Sequence, residues 1–417
     1  MYLKRDLEDK IKQYLKTPEI IAVLGSRQVG KTTLLQKMYS EQENAIFLTF
    51  EDIEIRILFD EDIKSFIKLY IEPYKIIFID EFQYAKNGGQ KLKFIYDTNP
   101  GKKIIISGSS TIDLTIEAVM YLAGRIFLFH LYPFNFTEYL HAIDYPLYTL
   151  FVSENKFSKT IRQQIYRYLE IYLKYGGYPR VILADSEKEK KEILKNIINI
   201  YLLKDIKDAA SIADESQMYK LLKALSLQIG NLIVYNELKA ISILTHQKLK
   251  QALSIFEKLF LIKLLSPFFT NKRVEISKNP KVYFMDMGIR NAIIGDFRAL
   301  DERMDKGAIY ENYIFKAFYE KDQTIKYYRS KSGAEVDFII NDTLPIEIKS
   351  RLSKPYPSKS FRNYLEKYNP AKGIIFNTTI QDSIKIKNSD ILFSLHFEAE
   401  KIASLQEVTA KTQIWPF

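Results

Sequence analysis

The chain has 417 residues, 47% of them hydrophobic and 27% charged, which predicts two to three domains of about 150 residues with ample apolar material for large cores. It has no cysteine, and its four histidines (His130, His141, His246 and His396) are scattered without ligand spacing; this leaves no disulfide or thiolate metal site and argues against a zinc enzyme, while a Mg²⁺ enzyme using carboxylates stays open. The net charge of +10 favours a polyanionic partner such as nucleic acid.

Acidic residues come too early for a secretory signal, and the longest apolar stretch, at 126–136, is broken by His130, Pro133 and Asn135. It falls far short of the roughly 20 residues that span a bilayer, so a cytoplasmic chain with no membrane partner is expected. Leu3, Leu7, Ile11 and Leu15 recur at four-residue spacing and predict an amphipathic amino-terminal helix.

The apolar run 20–24 then leads into Gly25-Ser26-Arg27-Gln28-Val29-Gly30-Lys31-Thr32, a full match to G-x-x-x-x-G-K-[ST], and a helical pattern follows from Thr33. That is the strand–loop–helix setting of a phosphate-binding loop. Its backbone N–H groups cradle phosphate oxygens, Lys31 would reach the β- and γ-phosphates of ATP, and the Thr32 hydroxyl would ligate Mg²⁺. A second apolar run, 76–79, ends in Asp80-Glu81. Asp80 would hold the Mg²⁺ shell, and Glu81 would orient or deprotonate the attacking water.

Further strands are expected at 45–50 and 103–106, with helices at 63–70 and 89–96 between them. This alternation predicts a parallel sheet whose ligand sits at the carboxyl ends of the strands. The run Ser107-Gly108-Ser109-Ser110 follows the fourth strand; Ser109, and second Ser107, could sense the γ-phosphate, or the run is simply a turn. Arg125 could stabilise charge on a transferring phosphoryl group, in its own or a neighbouring subunit, or form a structural salt bridge. Residues 156–173 read as helical up to the turn Gly176-Gly177-Tyr178-Pro179, and a mixed-charge stretch at 186–195 precedes the first boundary.

Residues 211–299 carry helices near 218–229, 235–241 and 245–259, then two strands around a loop with Lys272 and Arg273. This is a winged-helix pattern, with His246, Gln247, Lys248 and Lys250 facing outward to meet DNA, unless the unit packs on protein instead. Residues 300–417 hold a second constellation. Glu335 and Asp337 share one strand face, as do Glu347 and Lys349 on the next strand, with a turn at 341–343 between them. Asp337 and Glu347, with the Ile348 carbonyl, suit Mg²⁺-dependent phosphodiester hydrolysis, Lys349 would hold the water or phosphate, and Glu311 could add a metal ligand. The alternative is an alternating charged hairpin.

In this order, these motifs resemble a family of predicted AAA+-type ATPases with a carboxyl-terminal domain of the PD-(D/E)xK nuclease superfamily, found in archaea and bacteria. The resemblance rests on Gly25–Thr32, 76–81, Ser107-Gly108-Ser109, Gly124-Arg125, Pro133-Phe134, 136–139, Gly176–Pro179, Lys204-Asp205-Ile206 and 333–349. It implies an α/β fold in three parts: an AAA+-like P-loop ATPase domain (1–210), a winged-helix domain (211–299) and a restriction-endonuclease-like domain (300–417). It also implies ATP and Mg²⁺ at residues 25–33 and Asp80-Glu81, and nuclease-type positions at Asp337, Glu347 and Lys349. AAA+ resemblance further suggests a homo-oligomer. Whether the last domain cuts DNA or only binds it or a protein partner is left open.

Overall fold

The computed structural model describes residues 2–109, 121–209, 215–269, 275, 278–330 and 333–409, with 200–209 and 406–409 described as backbone only. Ser110, Lys272 and Arg273, singled out above, lie outside the described residues, as do the side chains of Lys204, Asp205 and Ile206.

Strands β1 (Ile20–Gly25), β2 (Ala45–Thr49), β3 (Ile76–Asp80), β4 (Lys103–Ser109) and β5 (Ile126–His130) form one parallel sheet in the order β2-β3-β4-β1-β5. Strands β1, β3 and β4 are apolar on both faces and buried, as a sheet covered on both sides requires. The Lys31–Tyr39 helix packs on one face and the Gly88–Thr98 helix on the other. Because β4 lies between β1 and β3, its carboxyl end stands between the phosphate loop and Asp80. The amino-terminal helix is Asp6–Gln13, with Ile11 fully buried; it stops before Leu15.

Three helices follow the boundary region: Glu215–Leu227, Tyr235–Ser242 and His246–Lys258. An antiparallel pair, β6 (Ile262–Leu265) and β7 (Lys281–Phe284), closes this unit. On the third helix Leu249, Leu253 and Phe256 are buried, whereas His246, Gln247, Lys248 and Lys250 are exposed, as the apolar spacing predicts.

The carboxyl-terminal segment is a six-stranded mixed sheet of β8 (Ile325–Arg329), β9 (Glu335–Ile340), β10 (Leu344–Ile348), β11 (Lys372–Asn377), β12 (Asp382–Ile386) and β13 (Ser389–Leu395), ordered β12-β13-β11-β10-β9-β8. The β9–β10 hairpin turns on Asn341 and Asp342, at φ 50° and 59°, residue types that tolerate left-handed backbone.

The three segments are not separately packed bodies. One continuous apolar core runs from Ile11 to Ala403. Glu400, near the carboxyl end, accepts the Phe136 and Thr137 N–H groups at 2.7 Å each. It thereby caps the Phe136–Ile143 helix from 264 positions away in sequence.

Candidate nucleotide site and a second carboxylate cluster

The phosphate loop closes as its sequence requires. Gly30 has φ 98°, and a Cβ on Gly25 would lie 2.2 Å from the Leu131 carbonyl oxygen, so the loop's backbone sits against the chain leaving β5. Val29 is fully buried and anchors the loop, while Gln28 is exposed at φ 62°. Lys31 is buried and donates to the Gly25 and Ser26 carbonyls at 3.0 and 2.9 Å. Arg27 is half-buried, and Thr33 is exposed on the first helical turn.

The Thr32 hydroxyl donates to Asp80 at 2.7 Å, and the Ser107 hydroxyl donates to the other oxygen of the same carboxylate. These are hard oxygen groups at one point, the donor chemistry of Mg²⁺. Glu81 follows at φ 54°, a left-handed conformation that costs about 1 kcal/mol or more in a residue with a side chain, and its carboxylate accepts the Gln83 amide. Ser109 pairs with Gly25 in the sheet, and its N–H donates to Gln83 at 3.2 Å. Its hydroxyl is buried and has no hydrogen-bond partner among the described residues. A buried donor without a partner costs about 1–3 kcal/mol, so a phosphate or water oxygen there would stabilise it.

Arg125 is not brought to this site. It precedes β5, where Ile126 pairs with Ile20 at the amino end of β1, and it ion-pairs with Asp97 at 3.0 Å. Five strand residues, roughly 17 Å, separate that edge from Gly25. Within its own chain Arg125 is therefore in a structural salt bridge.

Sequence reasoning missed Arg5 altogether and assigned Tyr178 no role at the site. Arg5 is buried; it donates to the Val29 carbonyl at 2.9 Å, to the Tyr132 carbonyl at 2.6 Å and to Glu138 at 3.1 Å, over the Phe134 ring. The hydroxyls of Tyr178 and Ser26 share a 3.1 Å hydrogen bond. Gly177 N–H donates to Asp286 at 2.8 Å, and its carbonyl accepts the Phe134 N–H at 2.8 Å. The Gly-Gly-Tyr-Pro turn thus joins the phosphate loop to the segment that carries β7. No local pattern marks these partners, since 24 residues separate Arg5 from Val29 and 152 separate Ser26 from Tyr178.

The second constellation assembles on the β9–β10 hairpin. Register pairs Ile346 with Phe338, which sets Glu347 opposite Asp337. Val336, Phe338 and Ile346 fill the core behind them. Asp337 accepts the Ile348 N–H at 2.7 Å, and Lys349 ion-pairs with Glu347 at 3.0 Å. Burial pushes the Asp337 carboxyl up to about 8, with Glu311 adding to it and Lys281 opposing. Asp337, Glu347 and the Ile348 carbonyl are hard donors suited to Mg²⁺.

Glu311 departs from the expected ligand set. It accepts Lys281 at 3.1 Å and the Tyr283 hydroxyl at 2.6 Å, so its charge is drawn toward β7. Among the described residues, no group of three or more His, Cys, Asp or Glu side chains converges on one metal position. Lys281 also meets Glu335 at 2.6 Å. No spacing rule pointed to Lys281, which lies 30 residues before Glu311. Among the described residues, no helix is long and apolar enough to cross a membrane.

Comparison with known proteins matches three successive stretches of the chain, the second of which crosses the expected boundary at 210. Residues 17–140 match an AAA domain, residues 166–299 a domain of unknown function (DUF8612), and residues 306–396 another (DUF4143). The chain is 28% identical over 353 residues to the uncharacterized protein MJ1544 of Methanocaldococcus jannaschii, covering 81% of this chain and 75% of that protein. It is also 28% identical over 349 residues to an uncharacterized protein of Haemophilus influenzae, covering 78% and 80%. The Walker-type ATPase PABY2304 of Pyrococcus abyssi aligns with 17% identity and a TM-score of 0.46, over 70% of this chain and 96% of that one. The AAA match and the loop geometry agree: residues 17–140 are an ATPase-type P-loop domain.

Proposed function

We propose that this protein binds and hydrolyses ATP with Mg²⁺ and acts on nucleic acid, DNA by preference, through its two following segments. The carrying observation is the meeting of Thr32, Asp80 and Ser107 at the carboxyl end of the sheet, beside the Ser109 hydroxyl, which has no partner among the described residues. Lys31 would turn from the Gly25 and Ser26 carbonyls to the phosphates. Thr32 and Asp80 would hold Mg²⁺, which offsets phosphoryl charge when bound. Glu81, held by Gln83, would orient water. The direct test is steady-state ATP hydrolysis by wild type, Lys31→Ala and Glu81→Gln. A robust wild-type rate that collapses in both supports the reading; a rate unchanged by Glu81→Gln would refute it.

The three-helix and hairpin unit reads as a winged helix, and the exposed His246, Gln247, Lys248 and Lys250 support a phosphate-facing helix. The convergence of Asp337, Glu347 and Lys349 supports a Mg²⁺-dependent nuclease-like domain. Incubation with plasmid and linear DNA in Mg²⁺ or Mn²⁺ tests it: no cleavage, or equal cleavage by Lys349→Ala, sinks the nuclease assignment.

A second reading is a nucleotide-driven switch whose later segments only bind DNA or a protein. It is favoured by the chain of contacts from Ser26 through Tyr178 and Gly177 to Asp286. It requires DNA or partner affinity to differ between ADP and a non-hydrolysable ATP analogue and to survive Asp337→Ala. A cytoplasmic location and a homo-oligomer in which Arg125 serves a neighbour belong to the same proposal. A monomeric mass with and without ATP would exclude the latter.

A further inference from the structure

The segment that leaves β10, residues 349–362, carries Lys349, Arg351, Lys354, Lys359 and Arg362 and no Asp or Glu. Lys349 pairs with Glu347, but among the described residues Arg351, Lys354, Lys359 and Arg362 form no ion pair with a carboxylate. Unneutralised charge of this density attracts a polyanion. In its midst stands Tyr356, 46% exposed, so nearly half of its surface is open to a ligand.

The ring is held in place. Tyr356 lies between Pro355 and Pro357, which fix their own φ and bias the residues before them, Lys354 and Tyr356, toward extended backbone. Arg362 donates to the Tyr356 hydroxyl at 2.9 Å, with its guanidinium carbon 4.8 Å from the ring centre, and the Lys354 Nζ lies 5.4 Å from that centre. The segment is pinned on both sides of the ring. The Thr378 hydroxyl donates to the Ser350 carbonyl at 2.6 Å and the Thr379 hydroxyl to the Leu352 carbonyl at 2.7 Å, while the Ser358 N–H donates to Glu347 at 3.4 Å. Tyr356 is two residues, at most about 7 Å of chain, from the residue that touches Glu347.

We propose that residues 349–362 form a platform for single-stranded DNA, in which a base stacks on Tyr356 while Arg351, Lys354 and Lys359 take the flanking phosphates. A fixed aromatic ring framed by cations matches an unstacked base between phosphates, whereas a duplex keeps its base faces stacked on one another. This rests on the reading that the chain acts on nucleic acid and adds the strand form and the place; no cleavage is required.

The test is fluorescence anisotropy of the full chain with a labelled thymidine homo-oligomer of DNA, an abasic strand of the same length and a duplex. Tyr356 is exposed, so its truncation leaves the core intact. Tyr356→Ala should weaken binding of the thymidine strand about tenfold, the loss expected for one stacked base. Binding of the abasic strand, which keeps phosphates without bases, and of the duplex should not change. Tyr356→Phe, which keeps the ring, should stay within about twofold of wild type. Arg351→Ala and Lys354→Ala should weaken the thymidine and abasic strands alike and flatten the salt dependence. Unchanged thymidine-strand binding by Tyr356→Ala, or an equal loss on the abasic strand or the duplex, overturns the platform and leaves the nucleic-acid reading standing. A wild type that binds none of the three at low salt overturns both.

Discussion

Arg5→Met tests whether a residue outside every motif supports the nucleotide loop. The guanidinium spends its donors on Glu138, Val29 and Tyr132 and covers the Phe134 ring at 4.1 Å. Methionine keeps much of the apolar contact but removes the charge, leaving a buried carboxylate at Glu138. Breaking one side of a buried pair costs about 3–5 kcal/mol. Glu138 keeps the Asp6 and Asn135 N–H groups at 2.7 and 3.1 Å, which places the loss near the low end, about 3 kcal/mol. Glu138→Gln in the same chain removes the stranded charge and should recover about 1–2 kcal/mol. Urea denaturation of both single variants and the double variant measures that coupling. Arg5 also holds the Val29 carbonyl in the loop, so affinity for a labelled ATP analogue should weaken by about 3- to 10-fold. A loss below about 1 kcal/mol, or no coupling between the two substitutions, would refute the reasoning.

Four other outcomes follow from the structure. Gly177→Ala places a Cβ 2.1 Å from the Phe134 carbonyl oxygen, between two hydrogen bonds that fix the turn, and should cost about 2 kcal/mol or more by thermal melting. Gly307→Ala, with nothing nearer than 3.9 Å, should cost nothing. Ser107→Ala leaves the buried Asp80 carboxylate with one fewer donor and should raise the Mg²⁺ needed for half-maximal ATP hydrolysis about tenfold. His396 is fully buried and stacked on Tyr310 at 4.1 Å, and burial pushes its imidazole down to about 3. The unfolded chain therefore binds a proton below the ordinary value near 6.5 that the folded chain refuses. Stability is lost as pH falls from there toward 3, by about 1.4 kcal/mol per unit. The stability difference between wild type and His396→Phe should carry that slope; a pH-independent difference would contradict it.

What could be read in the sequence was local. The phosphate loop, the strand ending in Asp80 and the β9–β10 hairpin each lie within about fifteen residues, where spacing fixes backbone class and face. Their boundaries in the structure move by one or two residues. The turn Gly176–Pro179 was visible as a turn, but its contacts were not. Arg125 shows the opposite case: the sequence left a phosphoryl-facing role and a structural salt bridge both open, and sheet register places it at the amino end of β1 beside Asp97.

The sequence by itself determined that a phosphate loop is present, that a carboxylate pair follows it on a strand, and that Asp337, Glu347 and Lys349 share one hairpin face. Only tertiary structure decided which distant cations and donors meet them. β4 inserts between β1 and β3 and so delivers Ser107 to Asp80. Arg5 reaches Val29, Tyr178 reaches Ser26, and Lys281 meets Glu311 and Glu335. The physical reason is that periodicity encodes the neighbours along an element, whereas buried polar and charged groups find partners through packing across elements, over separations of 24 to 264 residues.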